Sequence, residues 1–422
     1  MLDTLRPLAR HRDLLAFAFL LTFLSGHGQT YFISLFGGGM RAAFSLSNTQ
    51  FGGLYSAATL TSGVLVIALG RGVDRLPLAL FTAAVIVGAA LGAVLLATAP
   101  AAAWLLPGFL LLRLCGQGLM VHVAQTTVGR RLTSARGTGV GLVTVGLPLG
   151  EAVLPALVVA LLAALGWRAT WWVFALILLA GALPLALGLL RRSERPANPA
   201  AADADADAHA DTREPAPDEA TGLGPSVDWT RLQVLRDARF YRLLPAILAP
   251  PFLITALFFH QVPIAEAKGW ALSWLSTAFV LFAIAHVASL TVSGALVDRL
   301  GFARLLRLYL VPMLLALAVL GLVPGDGAAL LYLGLAGLSV GTASTLMGTV
   351  WPALYGLSHL GGIRAMAHGA MVLSTAIAPV LIGALLDAGI SVAGLAGMLG
   401  AYVAAAIALI PGVGALRPRP PV

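Results

Sequence analysis

Hydrophobic residues along this chain gather in long runs, and each run ends at a short polar break. Twelve runs can be marked, near residues 14–36, 50–69, 78–98, 102–127, 139–164, 170–190, 241–264, 272–297, 304–323, 328–350, 365–387 and 392–411. About twenty apolar residues is the length a helix needs to cross a bilayer. A spanning segment must also satisfy its own backbone hydrogen bonds, which selects helices over open strands. The pattern predicts an all-α polytopic membrane protein of twelve transmembrane helices, and the even count leaves both termini on one side. Ser47-Asn48-Thr49-Gln50 has the capping-box spacing that should open segment 2.

One stretch departs from the pattern. Residues 191–238 are polar, with the alternation Asp203-Ala204-Asp205-Ala206-Asp207 and five interspersed prolines, Pro196, Pro199, Pro215, Pro217 and Pro225. That composition buries too little apolar surface to order itself. A flexible cytoplasmic linker is therefore expected between an N-terminal six-helix bundle (14–190) and a C-terminal one (239–411), with residues 1–13 and 412–422 as short cytoplasmic ends. Metal binding by the linker's carboxylates and His209 is the alternative; a solvating spacer is the simpler reading.

Composition agrees, with 59% hydrophobic and 10% charged residues against about 25% charged in ordinary globular chains. The net charge of +8 would suit nucleic acid, but its placement points elsewhere. Only Arg41, Arg168 and Lys268 fall in breaks after odd-numbered segments, and Arg113 lies inside a segment. The other basic residues all lie in the even-numbered breaks or at the ends. That bias is the positive-inside rule, so both termini are expected in the cytoplasm, the protein in the inner membrane, and no nucleic acid among its partners. The single Cys115 excludes an internal disulfide. The first segment is too long for a signal-peptide core and reads as a retained helix.

The two halves repeat. Gly70-Arg71-Gly72-Val73-Asp74-Arg75 recurs as Gly294-Ala295-Leu296-Val297-Asp298-Arg299, and the same offset carries Gly137 onto Gly361 and Pro155 onto Pro379. Such repeats suit a secondary transporter with its site between the halves. Asp74 and Asp298 sit at helix ends where each can face a helix N-terminus of the other half, near Gly361 and Gly137 respectively. That would latch the state closed to the cytoplasm. Gly137, Gly141, Gly146 and Gly150 form a small-residue seam along segment 5.

The Gly-x-x-x-Asp-Arg pattern in both halves resembles the major facilitator superfamily of transporters. The second copy continues as Leu300-Gly301-Phe302-Ala303-Arg304, and Arg113-Leu114-Cys115-Gly116-Gln117-Gly118 resembles the superfamily's segment 4 signature. Arg130-Arg131, the glycines after Ala135, Gly166-Trp167-Arg168 and Trp351-Pro352-Ala353-Leu354-Tyr355-Gly356 are similar to the monocarboxylate and oxalate/formate branches. The resemblance implies two six-helix halves rocking about a midplane site, with segments 1, 4, 7 and 10 lining the path. It assigns conformational hinge roles to Gly70, Asp74, Arg75, Gly294, Asp298, Arg299, Gly301 and Arg304.

Arg113 and Glu151 are the two formal charges deep in segments, and buried ionisable groups in membranes are functional candidates. Arg113 offers a permanent planar cation for a carboxylate; Glu151 is a candidate proton carrier. They form a structural pair, or a switch in which substrate and Glu151 compete for the guanidinium, or they serve independent roles. His27, His122, His260 and His286 also fall in segments and can donate to an anion or move protons. His27 and His286 are the stronger candidates for both roles, with His260 beside them. Gln29, Tyr31, Gln117, Trp351 and Tyr355 complete the candidate site.

Phosphate-cradling loops, metal-ligand spacings and nucleophile–base pairs are not found, so neither enzyme activity nor a cofactor is expected. The expected function is secondary transport of a small organic anion, monocarboxylate-like, by proton symport or anion exchange, acting as a monomer. The alternatives are a proton-coupled exporter of cationic amphiphiles, with Glu151 as the cation's partner, and a membrane sensor that does not transport.

Overall fold

Gly166 turns the chain at φ 73° within one long helical run, Gly137–Ser193, and so divides it into two crossings; that backbone region suits a residue without a Cβ. The computed structural model describes residues 8, 11–132, 136–194 and 228–416, and it is helical throughout these, without strands. Among the described residues, ten stretches are long and apolar enough to span a bilayer. The Gly166 turn adds an eleventh crossing. The twelfth is the first, which is broken into Arg12–Leu24, Ser25–Gly28, Thr30–Ile33, Ser34–Phe36 and Gly37–Phe44.

These crossings are numbered in order. α1 is the broken series, α2 is Asn48–Leu69, α3 is Leu78–Thr98 and α4 is Ala102–Arg131; α5 and α6 are the parts of Gly137–Ser193 before and after Gly166. The second half comprises α7 (Ala238–Phe259), α8 (Leu272–Leu300), α9 (Phe302–Leu322), α10 (Gly327–Tyr355), α11 (Leu360–Asp387) and α12 (Val392–Leu409). Asn48 opens α2 as Leu272 opens α8, and Leu78 opens α3 as Phe302 opens α9, both pairs at the 224-residue offset that also separates Ser34 from Phe258. Ser47 caps α2 with Gln50 in the expected reciprocal box.

Lipid offers no hydrophobic gain for helix association, so close approach of small residues holds the bundle. A Cβ on Gly28 would strike the backbone of Leu112 and Gln117, and one on Gly116 would strike Gly28 in return. Where these backbones meet, α4 widens into a π-helical stretch, Leu112–Met120, that carries Arg113 and Gln117. Such wide turns often mark functional positions. Gly146 and Gly150 of α5 lie against Phe19, Thr22 and Phe23 of α1, whereas Gly137 and Gly141 of the same seam meet nothing. In the second half, Gly337 and Gly341 press α10 onto α8 at Phe282, His286 and Ser289. The halves join where α2 runs along α11 and α5 along α8.

Residues 195–227 of the expected linker, including His209, lie outside the described residues, as do 1–7, 9, 10 and 417–422. The second half begins at Asp228, whose carboxylate accepts from the Leu357 and Ser358 amides, each at 3.1 Å, and from the Ser358 hydroxyl at 2.5 Å. Those bonds, the Ser358 hydroxyl first, hold its carboxyl below the usual carboxylate range.

Candidate functional site

A cavity of about 520 Å³ lies between the halves, within the roughly 300–1,000 Å³ usual for ligand sites. Four helices each give it one face at helical spacing. α2 presents Thr59, Ser62, Gly63 and Val66; α4 presents Arg113, Gln117, Val121, His122 and Gln125; α7 presents Pro251, Ile254, Thr255 and Phe258; α11 presents His368, Met371, Val372 and Thr375. Gln29, Thr30 and Tyr31 of α1 and Glu151 of α5 complete the lining.

The cavity runs toward the face that carries Asp74 and Asp298, since Ile67, Gln125 and His368 lie near the ends of α2, α4 and α11 on that side. We call it the basic face. The far face is closed. Ser34 donates to the Phe258 carbonyl at 2.7 Å, and the Gln261 amide donates to the Tyr31 carbonyl and to Ser34, each at 2.6 Å. Phe259 of α7 stacks on Phe51 at 5.2 Å and meets Tyr55 at 4.6 Å, both from α2. At the end of α11, Asp387 accepts from the Asn48 amide and side chain at 3.1 and 2.8 Å, and from the Thr49 amide and hydroxyl at 2.8 and 2.6 Å. A carboxylate there faces the positive N-terminus of α2 and satisfies its unpaired N–H groups.

Arg113 is buried in the cavity wall and has no carboxylate partner among the described residues. One terminal nitrogen lies 3.4 Å from the Gly28 carbonyl, its Cζ stands 5.1 Å from the Tyr55 ring centre, and its Nε has no hydrogen-bond partner. Glu151 is engaged elsewhere: its carboxylate lies 3.1 Å from Nδ1 of His286, across the boundary between α5 and α8. The direct Arg113–Glu151 pair, one of the arrangements the sequence left open, is not formed.

A family model described as the Major Facilitator Superfamily matches residues 18–379. The chain belongs to the Major Facilitator Superfamily. It is accordingly a multi-pass membrane transporter built as two six-helix halves. No curated protein matches its sequence. Among solved structures, a D-xylose-proton symporter superposes with a TM-score of 0.68 at 14% identity, covering 94% of this chain and 96% of its own. A bacterial homolog of the human lysosomal transporter Spinster, inward-facing and unoccupied, gives 0.65 at 15% identity, covering 95% and 94%. A POT family transporter in complex with 5-aminolevulinic acid gives 0.65 at 13% identity, covering 94% and 95%.

Within this superfamily member, the structure brings together only some of the residues singled out from the sequence. Arg113, Gln29, Tyr31, Gln117 and Glu151 line the cavity. His286 stands behind Glu151 without lining it. His27 is packed away from it, its Nδ1 2.8 Å from the Leu24 carbonyl and its ring against Phe32 and Phe174. His260 ends α7 and lies 2.9 Å from the Pro379 carbonyl of α11, which makes it a tie between helices. Trp351 and Tyr355 occupy the last turns of α10, beside Trp229, Phe240 and the Asp237–Arg239 ion pair. α10 adds nothing to the lining, because its glycines hold it against α8.

The hinge residues diverge between the halves. α2 stops at Gly70, whose carbonyl lies 3.1 Å from His122 Nε2, and Asp74 and Arg75 occupy the separate turn Gly72–Arg75. Asp74 pairs with Arg130 of its own half. α8 instead continues through Gly294, Asp298 and Arg299 to Gly301, at φ 79°, before Arg304 in α9. Asp298 makes no ion pair among the described residues. Gly137 and Gly361 have open space where a Cβ would point, and among the described residues neither Asp74 nor Asp298 makes an ion pair across the halves.

His368, Thr59, Ser62, Thr255 and Thr375 were missed. The rows at i, i+3, i+4 and i+7 would have revealed them, since His368, Met371, Val372 and Thr375 form one stripe.

Proposed function

We propose that this transporter carries a small, monocarboxylate-like organic anion by alternating access, with Arg113 as the anion's partner. One observation supports this most: a buried guanidinium in the cavity wall has no carboxylate paired with it among the described residues. An isolated buried charge is costly, and an incoming carboxylate supplies the missing counter-charge with geometry suited to a planar cation. Export of a cationic amphiphile would need a free carboxylate, and Glu151 is held by His286. In this reading the basic face is cytoplasmic, the protein works as a monomer in the inner membrane, and the anion reaches Arg113 from the cytoplasm in the conformation described.

Coupling falls to the Glu151–His286 bridge. A carboxylate and an imidazolium attract as an ion pair; removing the imidazolium proton, or adding one to the carboxylate, ends the ion pair and leaves a hydrogen bond with one charged partner. Because the partners belong to different halves, the proton count at the bridge biases how the halves sit against each other. Proton symport follows if protonation accompanies the loaded carrier, and exchange follows if only an anion can release it. Gln29 and Gln117 supply further polar contacts, and the hinge residues Gly70, Asp74, Arg75, Gly294, Asp298, Arg299, Gly301 and Arg304 set the balance of states.

The test is uptake of labelled small carboxylates into proteoliposomes. Arg113→Gln should abolish uptake while the purified protein keeps its melting temperature. Arg113→Lys, which keeps the charge and loses the fork, should retain about a tenth or less. Undiminished uptake by Arg113→Gln rejects the assignment.

A further inference from the structure

The two walls of the cavity differ in chemistry. The first half contributes both formal charges, the Arg113 guanidinium and the Glu151 carboxylate, and the amides of Gln29 and Gln117, with Val66, Ile67 and Val121 as its apolar part. The second half contributes Pro251, Ile254 and Phe258 from α7 and Met371 and Val372 from α11. Its polar lining is limited to Thr255, to Thr375, whose hydroxyl turns back to donate to the Val372 carbonyl at 2.9 Å, and to His368 toward the open mouth.

We infer that the cargo is an amphipathic monocarboxylate, its planar head held in the first half and an alkyl or aryl tail laid against the second. This rests on Arg113 as the anion's partner and adds a demand that reading lacks. A second carboxylate on the tail would be desolvated against Ile254, Phe258, Met371 and Val372 with no cation to meet it. A two-carbon acid would leave most of the 520 Å³ to water and gain nothing from that wall. Met371 suits tails of varied shape, because an unbranched thioether repacks readily.

Binding of acetate, butyrate, hexanoate and adipate to the purified full-length protein tests the inference, read as dissociation constants for wild type and Arg113→Gln. Affinity should rise about three- to fourfold per methylene from acetate to hexanoate. Adipate should bind at least tenfold more weakly than hexanoate, and Arg113→Gln should remove the saturable component throughout. Met371→Ser and Ile254→Ser, made separately, should each flatten the slope. An Arg113-dependent series with no chain-length trend, or with adipate the tightest ligand, overturns the amphipathic cargo and leaves the anion reading intact. A series in which no acid depends on Arg113 removes the anion reading and this inference with it.

Discussion

The Glu151 carboxylate and the His286 imidazole stand 3.1 Å apart and belong to different halves of the bundle. Under the proposed alternating access, rocking the halves would remake or break this contact, which would link its proton content to the carrier's conformation.

Glu151→Gln keeps the size and a hydrogen-bonding group but cannot gain or lose the proton. Uptake by this variant, measured in proteoliposomes from about pH 6 to pH 8, should lose its pH dependence while anion exchange persists. A profile that still follows wild type would transfer the coupling role away from Glu151.

Asp387 holds the far face shut by accepting from Asn48 and Thr49 at the start of α2. Asp387→Asn removes the negative charge that faces the helix N-terminus, an exposed interaction of about 0.5–1 kcal/mol. The population open to the far face should grow about two- to fivefold. Spin-label distances between the far-face ends of α2 and α11 would report this, and an unshifted distribution would show that the apolar contacts alone close the face.

Gly28 meets backbone atoms of Leu112 and Gln117, which cannot swing aside as a side chain can. Gly28→Ala should therefore destabilise the first half by at least about 1–3 kcal/mol, seen as a lower melting temperature or loss of monodisperse protein. Gly53→Ala, with nothing within 4 Å, is the matched control and should melt like wild type.

Asp228 is fully exposed, and its carboxyl lies below the usual range because the Ser358 hydroxyl and amide and the Leu357 amide donate to it. A depressed carboxyl contributes above its unfolded value and loses that contribution as pH falls through the folded one. The tie between Asp228 and the α10–α11 loop should therefore be intact at neutral pH and weaken only in strong acid. Amide hydrogen exchange at Leu357 and Ser358 should be slow at neutral pH in wild type and faster in Asp228→Asn at the same pH. Equal rates would mean that the carboxylate does not hold the loop.

Much of the architecture could be read from spacing, because bilayer thickness fixes helix length and a duplicated chain repeats its punctuation. Gly70 and Gly294 announce equivalent positions, although only Gly70 ends its helix, and Ser47 with Gln50 announces where α2 starts. The site was less legible, since depth along a segment does not tell which way a side chain points. His27 lies as deep as the cavity residues yet faces the Leu24 carbonyl of its own crossing, and His260 ends α7 facing the Pro379 carbonyl of α11. Trp351 and Tyr355 come late in α10 and belong to its end. The His286 partner of Glu151 is set by how two distant crossings meet, which no local pattern encodes. The π-helical widening around Arg113 likewise depends on the glycine contact with α1.

Moving Arg113 by the 224-residue offset that separates Ser34 from Phe258 lands on Gly337, the residue that presses α10 onto α8. One copy of the repeated position carries a buried cation and the other a packing glycine. Under the proposed anion assignment, cargo would therefore be held to one side of the axis that relates the halves. Twin halves of one shape yield a machine with a left and a right.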